Sequence, residues 1–549
     1  EEIIQLFQEL DGIGLGTLES YGHFRFLPGL TSFLAAELTP EALAQARAAW
    51  FDGMVGLAGF LYQQRSKDSQ LSSTLTLLEL PNLLAALEQG EERLSPEGAV
   101  AFAAGLEQLL ADLGRPAALA RAVEARTRAA ARVPAWGKAR FEAERLTVKR
   151  LLAAGNLPEA HEKAQRLLRQ CQTGGDYPGA DHDLAMAHTL LGQVLRAAGQ
   201  AGEALECQVA ARRLFANLGG ENGQRMASSA LARQGDCLRA LGRLDEAAAD
   251  YEQAIVEFRE LQDDRGIAAG QNQLGTVRML QRRYPEALQA HEEARKIFTI
   301  LNEPRSVASA WHQTGMVLWR AGQYAEAEKA YKASLAIRVQ EKDRANEASS
   351  LNELGILFEA MGRLEDGVRC CRQAADICVA LPDLAKEGRV RSNLANALIQ
   401  LRRFDEARAE VMRAIACNGS FGHAVEPWKT WHILNKLEQA TGNPAAATSA
   451  REKAKSAFLA YRRAGGENHE GGGRWCAMTL QAIQAGAGAQ MAAALAEPAT
   501  SPDVPVEAKP LIAALQKILT GARDPALAED PALFFMDACE LTLLLEALG

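Results

Sequence analysis

With 549 residues the chain is long enough for three or four ordinary globular domains, although a solenoid need not divide that way. Hydrophobic residues make up 48% and aromatics only 6%, so a core must be built from Ala and Leu, which suits close-packed helices and argues against a β-sandwich. A formal charge of −9, from 60 basic and 69 acidic residues, supplies no global basic field for nucleic acid, and no run of about 18 apolar residues offers a membrane span.

The start, Glu1-Glu2-Ile3-Ile4-Gln5, has no initiator Met and no basic-then-apolar signal segment, and it reads as a fragment of something longer. Ile3 to Leu10 is predicted as a short helix, followed by Asp11-Gly12-Ile13-Gly14 and strand alternation in Tyr21-Gly22-His23-Phe24-Arg25-Phe26-Leu27-Pro28. Helix, then a hairpin ending in an aromatic strand, is how a winged-helix domain finishes, so residues 1–38 read as a winged-helix remnant. Residues 39–140 read as a helical linker or divergent helical repeats. Thr39 before Pro40-Glu41-Ala42 and Ser95 before Pro96-Glu97 are helix starts, and Leu71 to Leu87 is an apolar helix interrupted at Pro81.

Next comes an acid-alanine pair at a spacing close to 40: Glu159-Ala160, Glu203-Ala204, Glu246-Ala247, Glu286-Ala287, Glu326-Ala327, the weakened Asp366-Gly367, and Glu406-Ala407. A fixed period in that range means stacked helical hairpins. In the best copy, Trp311, Gly315 and Leu318 share one helical face, and Gly322 ends the first helix as a left-handed cap. Glu326 then sits in the first turn of the second helix, where Ala327, Tyr331 and Ser334 face back. Small residues at 315 and 327 let the helices approach closely. About eight copies fill residues 141–460, from Leu151, Gly155, Ala160 and Leu167 to Trp431, Leu434, Gly442, Ala447 and Ala454.

This frame resembles the tetratricopeptide repeat family, whose first helix carries Trp-x-x-Leu-Gly-x-x-Tyr and whose second carries Ala, an aromatic and Ala. The resemblance implies an all-α, right-handed α-solenoid. Two departures carry expectations. A period of about 40 rather than the family's usual ~34 predicts second helices, or turns such as Leu261–Arg265 and Leu301–Arg305, longer by about six residues. Loss of the second-helix aromatic to Gln208, His291, Cys371 and Arg451 predicts looser hairpins there. The flank at Tyr21 to Pro28 joined to the array resembles bacterial STAND-class (NB-ARC/NACHT-like) proteins, in which an ATPase is followed by a winged helix and sensor repeats. The phosphate-loop signature is absent, since the only Gly-Lys is Gly137-Lys138 and Arg132 stands where its first Gly is needed. The resemblance therefore places an ATPase or effector upstream of Glu1.

Residues 461–549 read as a C-terminal helical cap, with a flexible Gly-rich turn at Arg462 to Gly473, a break at Glu497 to Pro502 and a terminal helix from Phe534 to Leu548. Asp181-His182-Asp183 with His188 is the densest titratable group and reads as a solvated loop; Cys370, Cys371 and Cys378 read as buried thiols. Nine cysteines without a Cys-x-x-Cys pair fit a reducing cytoplasm. No catalytic constellation, cofactor or metal site emerges, so the chain reads as a non-enzyme.

The family's first helices line a concave groove. Carried onto this sequence, the groove positions are Gln193, Arg196, Arg233, Asp236, Arg239, Gln273, Thr276, Gln313, Trp319, Arg320, Asn352, Glu353, Asn393, Asn396 and Lys436. The first part is Arg-rich, and Arg forks onto carboxylates; the later part is Asn-rich, and amides hold a peptide backbone. The pattern is also loosely similar to the carboxylate clamp of co-chaperone repeats, without its Lys and Asn spacing. The expected partner is a protein or peptide, with neither nucleic acid nor membrane and with oligomerisation on activation. The sequence reads as the sensor region of a STAND-type signalling or defence regulator, its rival being a free-standing scaffold or co-chaperone-like adaptor.

Overall fold

The computed structural model describes residues 2–18, 24–27, 30–65, 68–111, 113–381, 383–419, 426–463, 466, 468, 471–500 and 505–549. They form two compact units, Glu1–Ala198 and Gly199–Gly549.

The first unit opens with a helix, Glu2–Gly12, and two short antiparallel strands, Gly16–Leu18 and Phe24–Phe26, with Thr17 opposite Arg25. Phe7 stacks on Phe24 at 4.7 Å between ring centroids, which ties helix to hairpin. The expected helix-then-strand order is present, while Tyr21, Gly22, His23 and Pro28 lie outside the described residues. Helices Pro40–Gln64, Ser69–Leu78, Leu80–Arg93, Pro96–Leu110 and Pro116–Arg132 follow. Thr39 and Ser95 cap as expected, accepting from the amides of Ala42 and Gly98. The apolar stretch breaks at Glu79, and Pro81 lies in the first turn of the following helix. Phe51, Leu61, Leu83, Leu106 and Leu110 form the core. Beside it the buried Arg126 donates to Glu107 and to the Ala143 carbonyl, both at 2.6 Å. The unit ends with the hairpin Lys138–Ala153 and Leu157–Thr173 and the helix Ala180–Ala197.

The second unit is an α-solenoid of successive hairpins in which each helix packs on its sequence neighbours. From Leu244 to Gln400 all eight helices are 17 residues long. Between them, Gly242, Gln262, Arg282, Asn302, Gly322, Lys342, Gly362 and Arg402 all have positive φ, at multiples of 20 residues. The repeat thus divides into two equal halves, which corrects the expectation of a lengthened second helix. Both helices have the same length, and both turns reverse through one left-handed residue. After the turns at Gln262 and Lys342, Asp263 and Asp343 cap the next helix, and Asp383 likewise caps Leu384–Gln400.

The alanines of the acid-alanine pairs, 160, 204, 247, 287, 327 and 407, are all 0% exposed. Where Arg stands three residues before the acid, the two pair: Arg243–Glu246, Arg283–Glu286 and Arg403–Glu406, and Arg363–Asp366 of the weakened copy, each close at 2.6 Å. The expected loosening is corrected. A Cβ built on Gly235 or Gly315 would lie 2.9 or 2.8 Å from the ring of Tyr251 or Tyr331, and one on Gly275 only 2.8 Å from His291. Cys371 crowds Gly355 in the same way, and Gln208 is buried. These helices keep the close approach by sealing it with a different side chain. Arg451 is half-buried and donates to the Leu533 carbonyl at 2.7 Å.

At the end of the array, Phe535 and Met536 of the last helix, Phe535–Leu548, pack on Trp428 and Phe458 of the final hairpin. Of the Gly-rich stretch, Ala464, Gly465, Glu467, His469 and Glu470 lie outside the described residues, but Gly471–Gly473 begin the helix Gly471–Gln484 rather than a turn. The expected break at Glu497 is absent, since Gly488–Thr500 is one helix; Ser501 and Pro502 are not described.

The left-handed turns are testable. Gly322→Ala, at φ +76°, is expected to cost about 1 kcal/mol, read as a lower urea midpoint, whereas Arg402→Gly, at φ +58°, shifts the midpoint the other way.

Candidate functional site

On each first helix the positions two before, one after and four after the packing glycine fall on one face. Most are half-buried, as Arg233, Asp236 and Arg239 or Gln273 and Thr276 are. First and second helices differ in exposure. In Pro304–Arg320 only Arg305 and Arg320 are exposed, whereas Tyr284–Ile300 exposes Pro285, Glu286, Gln289, Lys296, Thr299 and Ile300. First helices also touch one another: Gly220–Ala240 meets Asp264–Leu280, which meets Pro304–Arg320, and Arg344–Ala360 meets Leu384–Gln400. They form the inner row, and their half-buried face is the candidate binding surface.

Gln193, half-buried, and Arg196, exposed, belong to Ala180–Ala197 in the first unit, and the other thirteen groove positions belong to the second. Asp236 accepts a 2.6 Å hydrogen bond from the packing Tyr251 hydroxyl, so it serves the hairpin as well as the face. Gln313 and Trp319 are half-buried, and Arg320 and Lys436 are exposed. Asn352 is buried. Its amide donates to Glu353 at 3.3 Å, and its carbonyl accepts from Asn393 at 2.9 Å. Asn396 donates to Glu359 at 2.5 Å, and Gln400 donates to the same carboxylate.

Asn352, Glu353 and Asn393 thus form one polar cluster across two successive first helices, and Asn396 forms a second with Glu359 and Gln400, which the sequence reading missed. Glu359 occupies the frame position of Arg239 and Trp319, so position alone would have found it. Burial pushes the carboxyls of Glu353 and Glu359 above the usual range, partly offset by their amide donors. This end of the face is acidic and pre-bonded rather than a row of free amides.

Two other expectations meet the structure differently. Asp183 is not in a solvated loop: it is fully buried in the first turn of its helix and binds Lys138 Nζ at 2.6 Å, the Tyr177 hydroxyl at 3.0 Å and His182 Nδ1 at 3.2 Å. Burial opposes its charge, yet these partners hold its carboxyl below the ordinary value. Cys370, Cys371 and Cys378 are free buried thiols as expected, and burial pushes Cys371 up to about 12. Among the described residues no three His, Cys, Asp or Glu side chains are placed to share a metal ion, and no helix is long and apolar enough to cross a membrane. The first unit also contains a mostly apolar cavity of about 780 Å³, lined in part by Tyr62, Phe102, Gly105, Gln108 and Trp136.

Residues 228–255, 266–340 and 346–418 match the tetratricopeptide repeat family. These segments are tetratricopeptide repeats. No curated protein sequence matches the chain. Among solved structures, the chain is similar to a Signal Transduction ATPase with Numerous Domains (STAND) protein with a tetratricopeptide repeat sensor from Pyrococcus horikoshii. Identity is 14%, coverage is 79% of this chain and 65% of that one, and the TM-score is 0.45. It is also similar to a Rap protein complexed with competence and sporulation factor (13% identity, 68% and 99% coverage, TM-score 0.46). A third is the apo quorum sensor NprR from B. thuringiensis (14%, 66% and 99%, TM-score 0.42).

Within the tetratricopeptide repeats, burial drops the imidazoles of His291 and His312 from 6.5 to about 4, so both are neutral in the folded chain. Unfolded histidine takes up protons first as pH falls, so this stability is complete above about 6.5 and is lost between about 6.5 and 4. Tyr fills the position of His291 in two other repeats. His291→Tyr is therefore expected to flatten the acid loss by up to about 1.4 kcal/mol per pH unit, measured by urea unfolding across that window.

Proposed function

We propose that the chain is a sensor region of a bacterial STAND-type signalling or defence regulator, binding a protein or peptide on the inner face of its repeats and coupling that binding to an ATPase or effector encoded upstream of Glu1. The observation that carries the binding half is the contrast within the first helices. The packing frame barely varies from repeat to repeat, while the half-buried positions beside it run Arg233, Gln273, Gln313, Glu353, Asn393 and Asp236, Thr276, Met316, Ile356, Asn396. Packing does not require that diversity, and a ligand with its own side-chain order does.

The face also changes character along its length. Arg233 and Arg239 present cations at one end, and Glu353 and Glu359 place carboxyls at the other. Such a gradient orients a bound peptide, with acidic groups toward Arg239 and basic groups toward Glu359. Coupling requires that the ligand favour one arrangement of the repeats over another, because equal affinity for both shifts nothing. The upstream ATPase rests on the sequence resemblance of the Tyr21–Pro28 flank.

Screening a peptide library against the full chain tests the face. Arg239→Glu and Asn393→Ala are each expected to weaken a selected peptide at least tenfold, the first with an unchanged melting temperature and the second with a slightly lowered one, because it leaves the buried Asn352 carbonyl without its donor. Arg196→Glu is assayed separately, because that residue belongs to the other unit. Unchanged affinity in all three moves the site off this face. A gene sequence upstream of Glu1 without a Gly-x-x-x-x-Gly-Lys-Ser/Thr signature overturns the ATPase half alone.

A further inference from the structure

In the second unit, a cleft of about 690 Å³ opens between the turns of the array and the helices Gly471–Gln484 and Gly488–Thr500. Its wall carries three guanidinium groups from distant parts of the chain: Arg282 from a left-handed turn, Arg320 from the end of a first helix, and Arg474 from the first turn of Gly471–Gln484. Its floor is Trp475, Met478, Met491 and Leu495. The volume lies within the range of small-molecule sites, and an apolar floor under a few convergent polar groups is their usual make-up.

The three arginines lack what most arginines of the array have. Arg283, the neighbour of Arg282, pairs with Glu286 at 2.6 Å; Arg278 pairs with Glu252; Arg363 and Arg403 each hold an acid. Arg282, Arg320 and Arg474 have no carboxylate within 4.0 Å among the described residues, and all three are exposed toward solvent. In a chain of net charge −9, three guanidiniums around one cavity with no carboxylate partner among the described residues are a local reversal of sign. Gly471 lines the same cleft, so the amides of a helix's first turn add to the positive field.

We propose that this cleft binds an amphipathic anion, with a carboxylate head forked by Arg282, Arg320 and Arg474 and an apolar body against Trp475, Met478 and Met491. Guanidinium planes suit such heads because they offer paired donors in a fixed geometry, and they stack on aromatic bodies as well. A ligand here touches two array turns and the C-terminal helices at once, so it ties those helices to the array. The inference does not depend on the peptide face, with which it shares only Arg320.

The probe is 8-anilinonaphthalene-1-sulfonate, a fused aromatic anion that brightens in an apolar site, titrated into the full chain. Saturable binding at one site is expected, with energy transfer from tryptophan. Arg282→Ala combined with Arg474→Ala is expected to weaken it at least tenfold with unchanged circular dichroism and melting temperature. The uncharged N-phenyl-1-naphthylamine is expected to bind at least tenfold more weakly than the anion. Arg239→Glu and Asn393→Ala leave the probe's affinity unchanged, which separates this site from the peptide face. Competition then distinguishes the source of the head group. Displacement by decanoate marks a small organic acid, and displacement by a Leu-terminated pentapeptide but not by its C-terminal amide marks a peptide end. Probe binding that survives the double Arg substitution, equal affinity for the neutral probe, or displacement by neither competitor overturns the proposal.

Discussion

Four successive hairpins of the repeat array depend on a glycine in the first helix, Gly235, Gly275, Gly315 or Gly355, meeting a larger side chain from the second, and the next hairpin carries the small Ala395 at that position. Without a Cβ at Gly235, Gly275 or Gly315, the ring of Tyr251, His291 or Tyr331 lies directly on backbone, and the two helices sit close enough for the alanines at 247, 287 and 327 to be fully covered. Interiors packed this tightly tolerate little change of volume on either side of the contact. The seal itself is more permissive than the gap. Phenol, imidazole and thiol all serve, because the requirement is for a side chain that fills the space over a bare backbone rather than for an aromatic ring.

That permissiveness explains what was legible in the sequence. The alanines were readable because a small residue is needed at one position per 40 and almost nothing else meets the need. The left-handed conformation was readable where glycine marks it, as at Gly242, Gly322 and Gly362, while spacing alone places the turns Leu261–Arg265 and Leu301–Arg305. Arg282, Arg402, Gln262, Asn302 and Lys342 adopt the same left-handed conformation, and of these side chains only that of Asn302 favours it. With the left-handed residues Arg282, Lys342 and Arg402 unmarked, the extra length of the 40-residue period reads as belonging to the second helices or their turns rather than as shared between two equal halves.

The binding face was legible by position and illegible by chemistry. Frame counting placed Asn352, Glu353, Asn393 and Asn396 on one surface, but their pairing depends on the spacing between neighbouring first helices, which no single helix encodes. Across that spacing Asn393 reaches Asn352, and Asn396 reaches Glu359. The amides are therefore committed before any ligand arrives. A partner must exchange bonds rather than fill vacancies, which favours discrimination between ligands over raw affinity. The arginine-lined cleft had no sequence signature, because it unites residues 282, 320 and 474 through long-range folding.

The identical 20-residue halves have a consequence for ancestry. Because the left-handed turn and the helix length recur every 20 residues and the sealing contact every 40, a whole hairpin can be duplicated or lost by recombination between equivalent turns while its neighbours still find similar surfaces to pack on. Copy number then becomes a heritable variable separate from stability. A lineage can lengthen or shorten the inner face by one 40-residue step and keep the packing frame of the remaining hairpins.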